Sequence, residues 1–236
     1  MSGLTSLRYF FALLLLSVCV STASAQQRFS AGPRVGANMS TLRGDVDGYK
    51  LAPGFVGGVF LMYSSLNHFG ISADVLYSQR GGKYSETVTP QAGNPVTNTF
   101  RQQINYLEIP VALRYFLTLN GNFRPNIFFG PSLALPLSAK RVNTKSNNVD
   151  QPDVDNSDAF KNTDLGILAG FQLNWPGFGE RQRFLIDARY TLGLGDVTKL
   201  PISGGRGSQD IRSSTITLTL GYGFGVGPEY RSRYRR

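Results

Sequence analysis

Cysteine and histidine are almost missing: the 236 residues contain one of each, Cys19 and His68. Cys19 falls in what reads as a secretory leader, residues 1–25. Arg8 supplies its positive start, Tyr9 to Val20 is the apolar run, and Ala23-Ser24-Ala25 forms an A-x-A cleavage site before Gln26. Leu16-Ser17-Val18-Cys19 loosely imitates a lipoprotein acylation signal, but Val18 stands where a small residue is required. With the leader removed no cysteine remains, which excludes a disulfide framework. An exported chain of this kind needs a large hydrogen-bonded framework instead. Also missing is any apolar run of about 18 residues, which excludes a spanning helix. No stretch reads as an inter-domain linker, so residues 26–224 are expected to form one domain.

What is present is alternation. In QQINYLEIPVALRYFL, residues 102–117, one phase is Leu107, Ile109, Val111, Leu113 and Tyr115. The other is Ile104, Tyr106, Glu108, Pro110, Ala112 and Arg114. Period two over so long a run specifies a strand. It exceeds the roughly 5–6 residues usual in globular sheets and matches the roughly 9–11 that cross a bilayer at a tilt. The apolar phase then faces lipid, and Glu108 and Arg114 face inward.

The same pattern recurs along the chain. Strands are expected near Val35–Ser40, Phe55–Tyr63, Phe69–Arg80, Gln102–Leu117, Arg124–Ala139, Asp164–Trp175, Gln182–Gly195 and Ile211–Phe224. Phe60 and Met62 spoil the polar phase of the second, and Pro125, Pro131 and Pro136 weaken the fifth, because proline removes a ladder donor. Asn120-Gly121 is a strong hairpin signal. Between strands, polar loops at Thr41–Pro53, Gly81–Arg101, Lys140–Asn162 and Asp196–Asp210 alternate with short turns. Short turns on one side and long loops on the other, with aromatics at strand ends such as Tyr63, Tyr77, Tyr115, Trp175, Tyr190, Tyr222 and Phe224, describe a transmembrane barrel. A soluble lipocalin-like barrel or sandwich has no reason to lengthen every second loop. The fold expected is all-β, an eight-stranded antiparallel transmembrane β-barrel with short periplasmic turns and long extracellular loops.

Four segments also carry a family resemblance: INYLEIPVALRY, the preceding LYSQRGGKY, the following IFFGPSLALPLSAK and the closing GYGF. Over about Arg28 to Phe224 the chain resembles the outer-membrane-protein β-barrel family often labelled "porin family protein", with PorT-like proteins among its relatives. The resemblance implies an OmpA-type eight-stranded barrel in a Gram-negative outer membrane. It implies no catalytic motif, and through the PorT-like relatives it points to an accessory role in protein secretion. This chain departs from the pattern in the basic tail, residues 225–236.

Chemistry is sparse. The inward phase collects Arg34, Asp74, Arg80, Glu108, Arg114, Asp187 and Arg189, four cations against three carboxylates. An unpaired charge out of water costs several kcal/mol in order of magnitude, so these should pair and plug the lumen. The alternative is a selectivity lining for a small solute in a narrow passive channel. Glu108 and Asp187 are best explained as partners of Arg114 and Arg189, and His68, beside a short turn, leaves no Ser/His/Asp site. No enzyme activity and no cofactor are expected. Asp153, Asp155 and Asp164 half imitate a calcium loop, although Asp158 occupies the glycine position and aspartate replaces the bidentate glutamate. Glycines 221, 223, 225 and 227 do not open a helix, so no dinucleotide site follows.

Setting Arg8 aside, 23 basic residues face 15 acidic ones. The outer loops take 11 and 10, the lumen 4 and 3, and the periplasmic ends and tail 8 and 2. That basic rim comprises Arg28, Arg124, Arg181, Arg183 and, in the tail, Arg231, Arg233, Arg235 and Arg236, suited to anionic inner-leaflet headgroups. The expected partners are outer-membrane lipid and a protein reached through the outer loops or the tail, with no nucleic acid. Oligomeric state is not legible in the sequence.

Overall fold

The structure, a computed structural model, describes residues 28–44, 49–65, 67–88, 95–118, 122–146, 149–179, 181–198 and 211–226. The leader, the Asn120-Gly121 turn and the tail beyond Val226 lie outside them. Eight long strands carry the chain. They are β1 (Arg28–Gly44), β2 (Lys50–Ser64), β3 (Phe69–Val88), β4 (Val96–Phe116), β5 (Asn126–Ser146), β6 (Asp164–Pro176), β7 (Gln182–Gly193) and β8 (Ile211–Val226). Each pairs antiparallel with its sequence neighbours, β1 pairs with β8, and β4 with β5, so the sheet closes on itself. Closure leaves no unpaired edge, the condition for strands in lipid.

Burial follows the alternation with the usual sense reversed. Along β4 the buried side chains are Gln102, Ile104, Tyr106, Glu108, Pro110, Ala112, Arg114 and Phe116, while Val111 and Leu113 are exposed. Leu220 is 58% and Phe129 63% exposed, whereas Arg114 is 2% and Gln172 0%. Apolar side chains outside and polar ones inside are stable only when the outer solvent is hydrocarbon.

Three expectations need correction. The loops Thr41–Pro53, Gly81–Arg101 and Lys140–Asn162 are largely ladder: β1 runs on to Gly44, β3 pairs with β4 out to Val88 and Val96, and β5 continues to Ser146. These extensions are polar on both faces, so alternation cannot mark them; backbone pairing and threonine–serine contacts such as Ser85–Thr99 (3.0 Å) and Thr87–Thr97 (3.1 Å) hold them. At the foot of one extension Gly81 takes φ +148°, a conformation L side chains rarely adopt, and its N–H and C=O both bond Ser40 Oγ.

The prolines do not break β5. Instead the register shifts where Asn105 faces Ser138 and Tyr106 faces Pro136, leaving Leu137 as the extra residue. The shift reverses the phase, so Ser138 bonds Asn105 on the outer face (2.9 Å) and Ala139 enters the lumen. Finally, Phe60 and Met62 are not defects in β2: with Phe116 and Leu185 they form a buried cluster near the short-turn end.

Candidate functional site: a closed charge network in the lumen

Every inward charge singled out from the sequence is buried in the barrel interior. Two carboxylates organise most of them. Asp187 Oδ2 accepts from Arg34 Nη1 (3.1 Å) and Gln172 Nε2 (3.3 Å), with Arg114 Nη2 at 3.7 Å. Its Oδ1 accepts from Arg189 Nε (3.0 Å). Asp74 Oδ2 accepts from Arg34 Nη1 (3.0 Å) and Arg189 Nη2 (3.1 Å). These residues come from β1, β3, β4, β6 and β7, so the network also ties together strands that do not pair, such as β1 with β3 and β1 with β7. Arg114 completes its coordination through neutral acceptors, Ser72 Oγ (2.8 Å) and Asn126 Oδ1 (2.9 Å). Its guanidinium lies 4.5 Å from the Phe128 ring centroid, and Arg34 lies 5.0 Å from that of Phe60.

Glu108 is a separate centre. It pairs with Arg80 at 2.5 Å and accepts from Ser132 Oγ (3.1 Å). The pairing expected from sequence, Glu108 with Arg114, is therefore corrected: Arg80 takes that place, and Arg114 turns toward Asp187. Facing residues on neighbouring strands explain this, because Leu76 of β3 lies opposite Glu108, and Arg80 sits two pleat repeats beyond it on the same inner face.

The sequence reading missed a fourth lumen carboxylate. Asp164 opens β6, is buried, and accepts from Ser213 Oγ (2.9 Å). It shares the inward phase of Gln172 and Asn174, and that phase was the signal available. Four buried arginines and four buried carboxylates thus balance, counted over the described residues. The calcium constellation dissolves for the same reason. Asp164 is in the lumen, Asp153 is exposed, and Asp155 accepts the Ser157 N–H (3.0 Å) and hydroxyl (2.7 Å), which hold its carboxyl below the usual range. Among the described residues no three acidic, histidine or cysteine side chains gather as a metal site.

Apolar layers cap the network. At the short-turn end the Phe60, Met62, Phe116 and Leu185 cluster lies across the lumen, with Arg124 over Phe116 at 4.8 Å. At the opposite end Leu42, Ile104, Phe160, Val197 and Ile211 form a second cluster. Phe160 comes from the β5–β6 loop, which folds inward. Asn156 and Gln102 exchange two amide hydrogen bonds (2.8 and 3.0 Å), Ser157 bonds both backbone groups of Ala139, and Lys161 pairs with Asp196 at 2.9 Å. Partial burial works to raise the Asp196 carboxyl, but bonds from Lys161, Thr198 and the Ile211 N–H outweigh it and hold the group below its ordinary value.

At the short-turn end, the Arg124 N–H donates to the Asn174 carbonyl (2.9 Å) and Arg183 Nε to Asn174 Oδ1 (2.6 Å), so two of the predicted rim arginines share one partner. The Arg181 carbonyl accepts from the Gly225 N–H. Arg231, Arg233, Arg235 and Arg236 lie outside the described residues. His68 stacks on Tyr115 (5.2 Å between centroids) and contacts the Phe116 carbonyl.

A closed eight-stranded barrel with a lipid-facing apolar belt and a charged interior defines an outer-membrane type of protein. The model of the outer membrane protein beta-barrel domain matches residues 24–199, and the chain belongs to that family. Its location is accordingly the outer membrane. Solved structures to which the chain is similar include Neisserial surface protein A (14% identity, 84% of this chain and 97% of that one, TM-score 0.46). OprG from Pseudomonas aeruginosa is 13% identical over 86% of this chain and 97% of its own, TM-score 0.42. The outer membrane protease OmpT from Escherichia coli is 10% identical over 87% and 100%, TM-score 0.48. No curated protein matches the chain.

Proposed function

We propose that this protein is a non-conducting, non-enzymatic outer-membrane barrel that acts structurally or through its exposed surfaces. The observation that carries the reading is the balanced set of four arginines and four carboxylates held between two apolar layers. A solute would have to displace Phe160 and Val197 at one end and Phe60 and Phe116 at the other. Between them it would break ion pairs that have no water to replace them. Supporting the non-enzymatic reading, Asp74, Asp187 and Glu108 are each paired with arginine, Asp164 accepts from Ser213, and His68 contacts the Phe116 carbonyl rather than a serine among the described residues.

Two other readings remain in view. A narrow passive channel would require both apolar layers to open. An accessory role in protein secretion, suggested by the PorT-like resemblance, would place the partner on the outer ribbons or on the basic tail. Ion conductance of the refolded protein in a planar bilayer, beside an Arg114→Ala variant, tests the central claim. Electrical silence from a verified folded barrel is the expected result. Steady openings that change with Arg114 would make the lumen a pathway and overturn it. Pull-down with residues 225–236 deleted then tests the tail as a partner site.

A further inference from the structure

The lipid-facing wall of the barrel is not smooth. A groove of about 480 Å³ crosses β6, β7, β8 and β1 in the half of the apolar belt next to the short turns. One bank is aromatic, formed by Trp175, Phe184 and Tyr222. The other is low, formed by Pro33 and Val35, with Ile186 and Leu220 between the banks. Arg34, Leu185 and Gly221 alternate with these residues on the inward phase and make the floor.

The relief follows from the residues at the seam that closes the barrel. Pairing of β1 with β8 is interrupted at Gly32 and Pro33, between the pairs Ala31–Phe224 and Arg34–Gly221, because proline has no N–H to donate. A proline ring and a valine also stand lower than the rings across the seam. Those rings are fixed in place. Trp175 packs on Phe123 with 5.3 Å between centroids, and Phe184 meets Tyr222 edge to face at 4.8 Å. The Tyr222 hydroxyl donates to Gln182 Oε1 and accepts the Phe178 N–H (3.3 Å), which turns its polar end toward the short turn and leaves the ring lining the groove.

Height and surroundings choose the occupant. The outward residues of β8 run Ile216, Leu218, Leu220, Tyr222 and Phe224, and the groove lies level with Leu220 and Tyr222, continuous with the lipid-facing belt. Three inter-strand steps of about 4.8 Å make it roughly 14 Å long, enough for the greater part of one acyl chain. Inside hydrocarbon no hydrophobic force fills a depression, because lipid tails are as apolar as leucine. Dispersion decides instead: a gap of about 0.5–1 Å forfeits a quarter to a half of each contact, and a flexible chain that follows the relief recovers it. A second barrel fits worse. Two copies in one membrane meet at equal height about an axis along the membrane normal, so an isologous contact would set groove against groove and leave it unfilled. We propose that the groove seats one acyl chain of a phospholipid of the periplasmic leaflet, held longer than the lipids that exchange around the rest of the belt. This goes beyond the closed lumen and rests only on the membrane-embedded wall, so conductance of either outcome leaves it standing.

Trp175 is the one tryptophan of the chain, and its fluorescence therefore reports on the groove. The test titrates the full chain, folded in neutral detergent, with phosphatidylcholine brominated in mid-chain, since bromine quenches an indole it touches. Quenching should saturate at one lipid per barrel, a result that needs no variant. Val35→Phe, on the low bank, fills part of the groove and should weaken the lipid roughly tenfold, the weight of about ten lost carbon–carbon contacts. Val75→Phe, at a similarly exposed site on the opposite wall, should stay within about twofold of wild type. Both variants exchange one outward apolar group for another, and heat-modifiable migration checks that they fold. Native mass spectrometry of the same samples counts retained lipid and protein copies. Quenching that rises with lipid without saturating, or equal affinity in wild type and Val35→Phe, would overturn the proposal in favour of ordinary exchanging lipid. A dimer that persists without lipid and is lost in Val35→Phe would overturn it in favour of a second copy of the chain.

Discussion

Asp187→Asn is the most informative single change in the lumen. The substitution keeps the side chain's shape while removing the charge that Arg34, Arg189 and Arg114 share. Asp74 is then the only carboxylate in contact with Arg34 and Arg189, and Arg114 keeps just its neutral acceptors, Ser72 and Asn126. Breaking a fully buried ion pair by deleting one partner costs about 3–5 kcal/mol. Three cations touch this carboxylate, so the upper half of that range is expected. With a urea dependence of about 2 kcal/mol per molar, the unfolding midpoint in lipid vesicles should drop by roughly 2 M. Adding Arg114→Met restores neutrality among the buried charges and should recover part of the loss, a coupling readable from the double-mutant cycle. A loss below about 1 kcal/mol for Asp187→Asn would refute the reasoning. Water would then be solvating the network, and the lumen would be a wet pore rather than a dry plug.

Other perturbations probe the remaining assignments. Leu218→Arg places a charge on the lipid face, where Leu218 is half exposed, and should cost about 2–4 kcal/mol and impair heat-modifiable assembly; normal folding would contradict the facing of β8. Ala139→Leu should overpack the lumen by about 1–3 kcal/mol while Ser138→Leu is tolerated, a contrast in urea midpoints that tests the phase reversal in β5. The depressed Asp196 carboxyl stabilises the inward-folded loop above its unfolded value near 4, and that contribution disappears as pH falls through the lower folded value. Hydrogen exchange of residues 157–162 should therefore quicken selectively in strong acid. Asp196→Asn should speed it already at neutral pH, and unchanged protection in that variant would remove Asp196 from the anchoring role. Phe116→Ala, which empties a side chain with no exposure, should cost about 3–5 kcal/mol in urea unfolding, and a neutral result would mean the lower layer is not packed.

The barrel was legible because lipid imposes a simple code. Outward positions such as Ile71, Val75, Leu113 and Leu218 must be apolar, inward positions are free to be polar or charged, and the alternation of loop lengths counts the strands. The same code shows which charges enter the lumen, since Arg34, Asp74, Arg80, Glu108, Arg114, Asp187 and Arg189 each follow from local phase alone. It extends to Asp164 as well, once the phase of β6 is carried back one more pair from Gly166, a step the sequence reading did not take. Where both faces of a ribbon meet water, as in the β3–β4 extension, no pattern is imposed and the strands read as loop.

Tertiary structure alone decided the rest, because those facts depend on registers between strands. Periodicity tells which face a side chain occupies but not its height beside a neighbour, so it could not choose Arg80 over Arg114 as the partner of Glu108. Nor could it turn Phe60, Met62, Phe116 and Leu185, drawn from three strands, into a layer across the lumen. The bulge at Leu137 reversed the phase of β5 without any change in composition. Register, finally, set Lys50, Lys83 and Arg101 side by side, although 17 or more residues separate each from the next in sequence. Closure of the sheet converts local alternation into cross-barrel contacts, and those contacts locate the charge network.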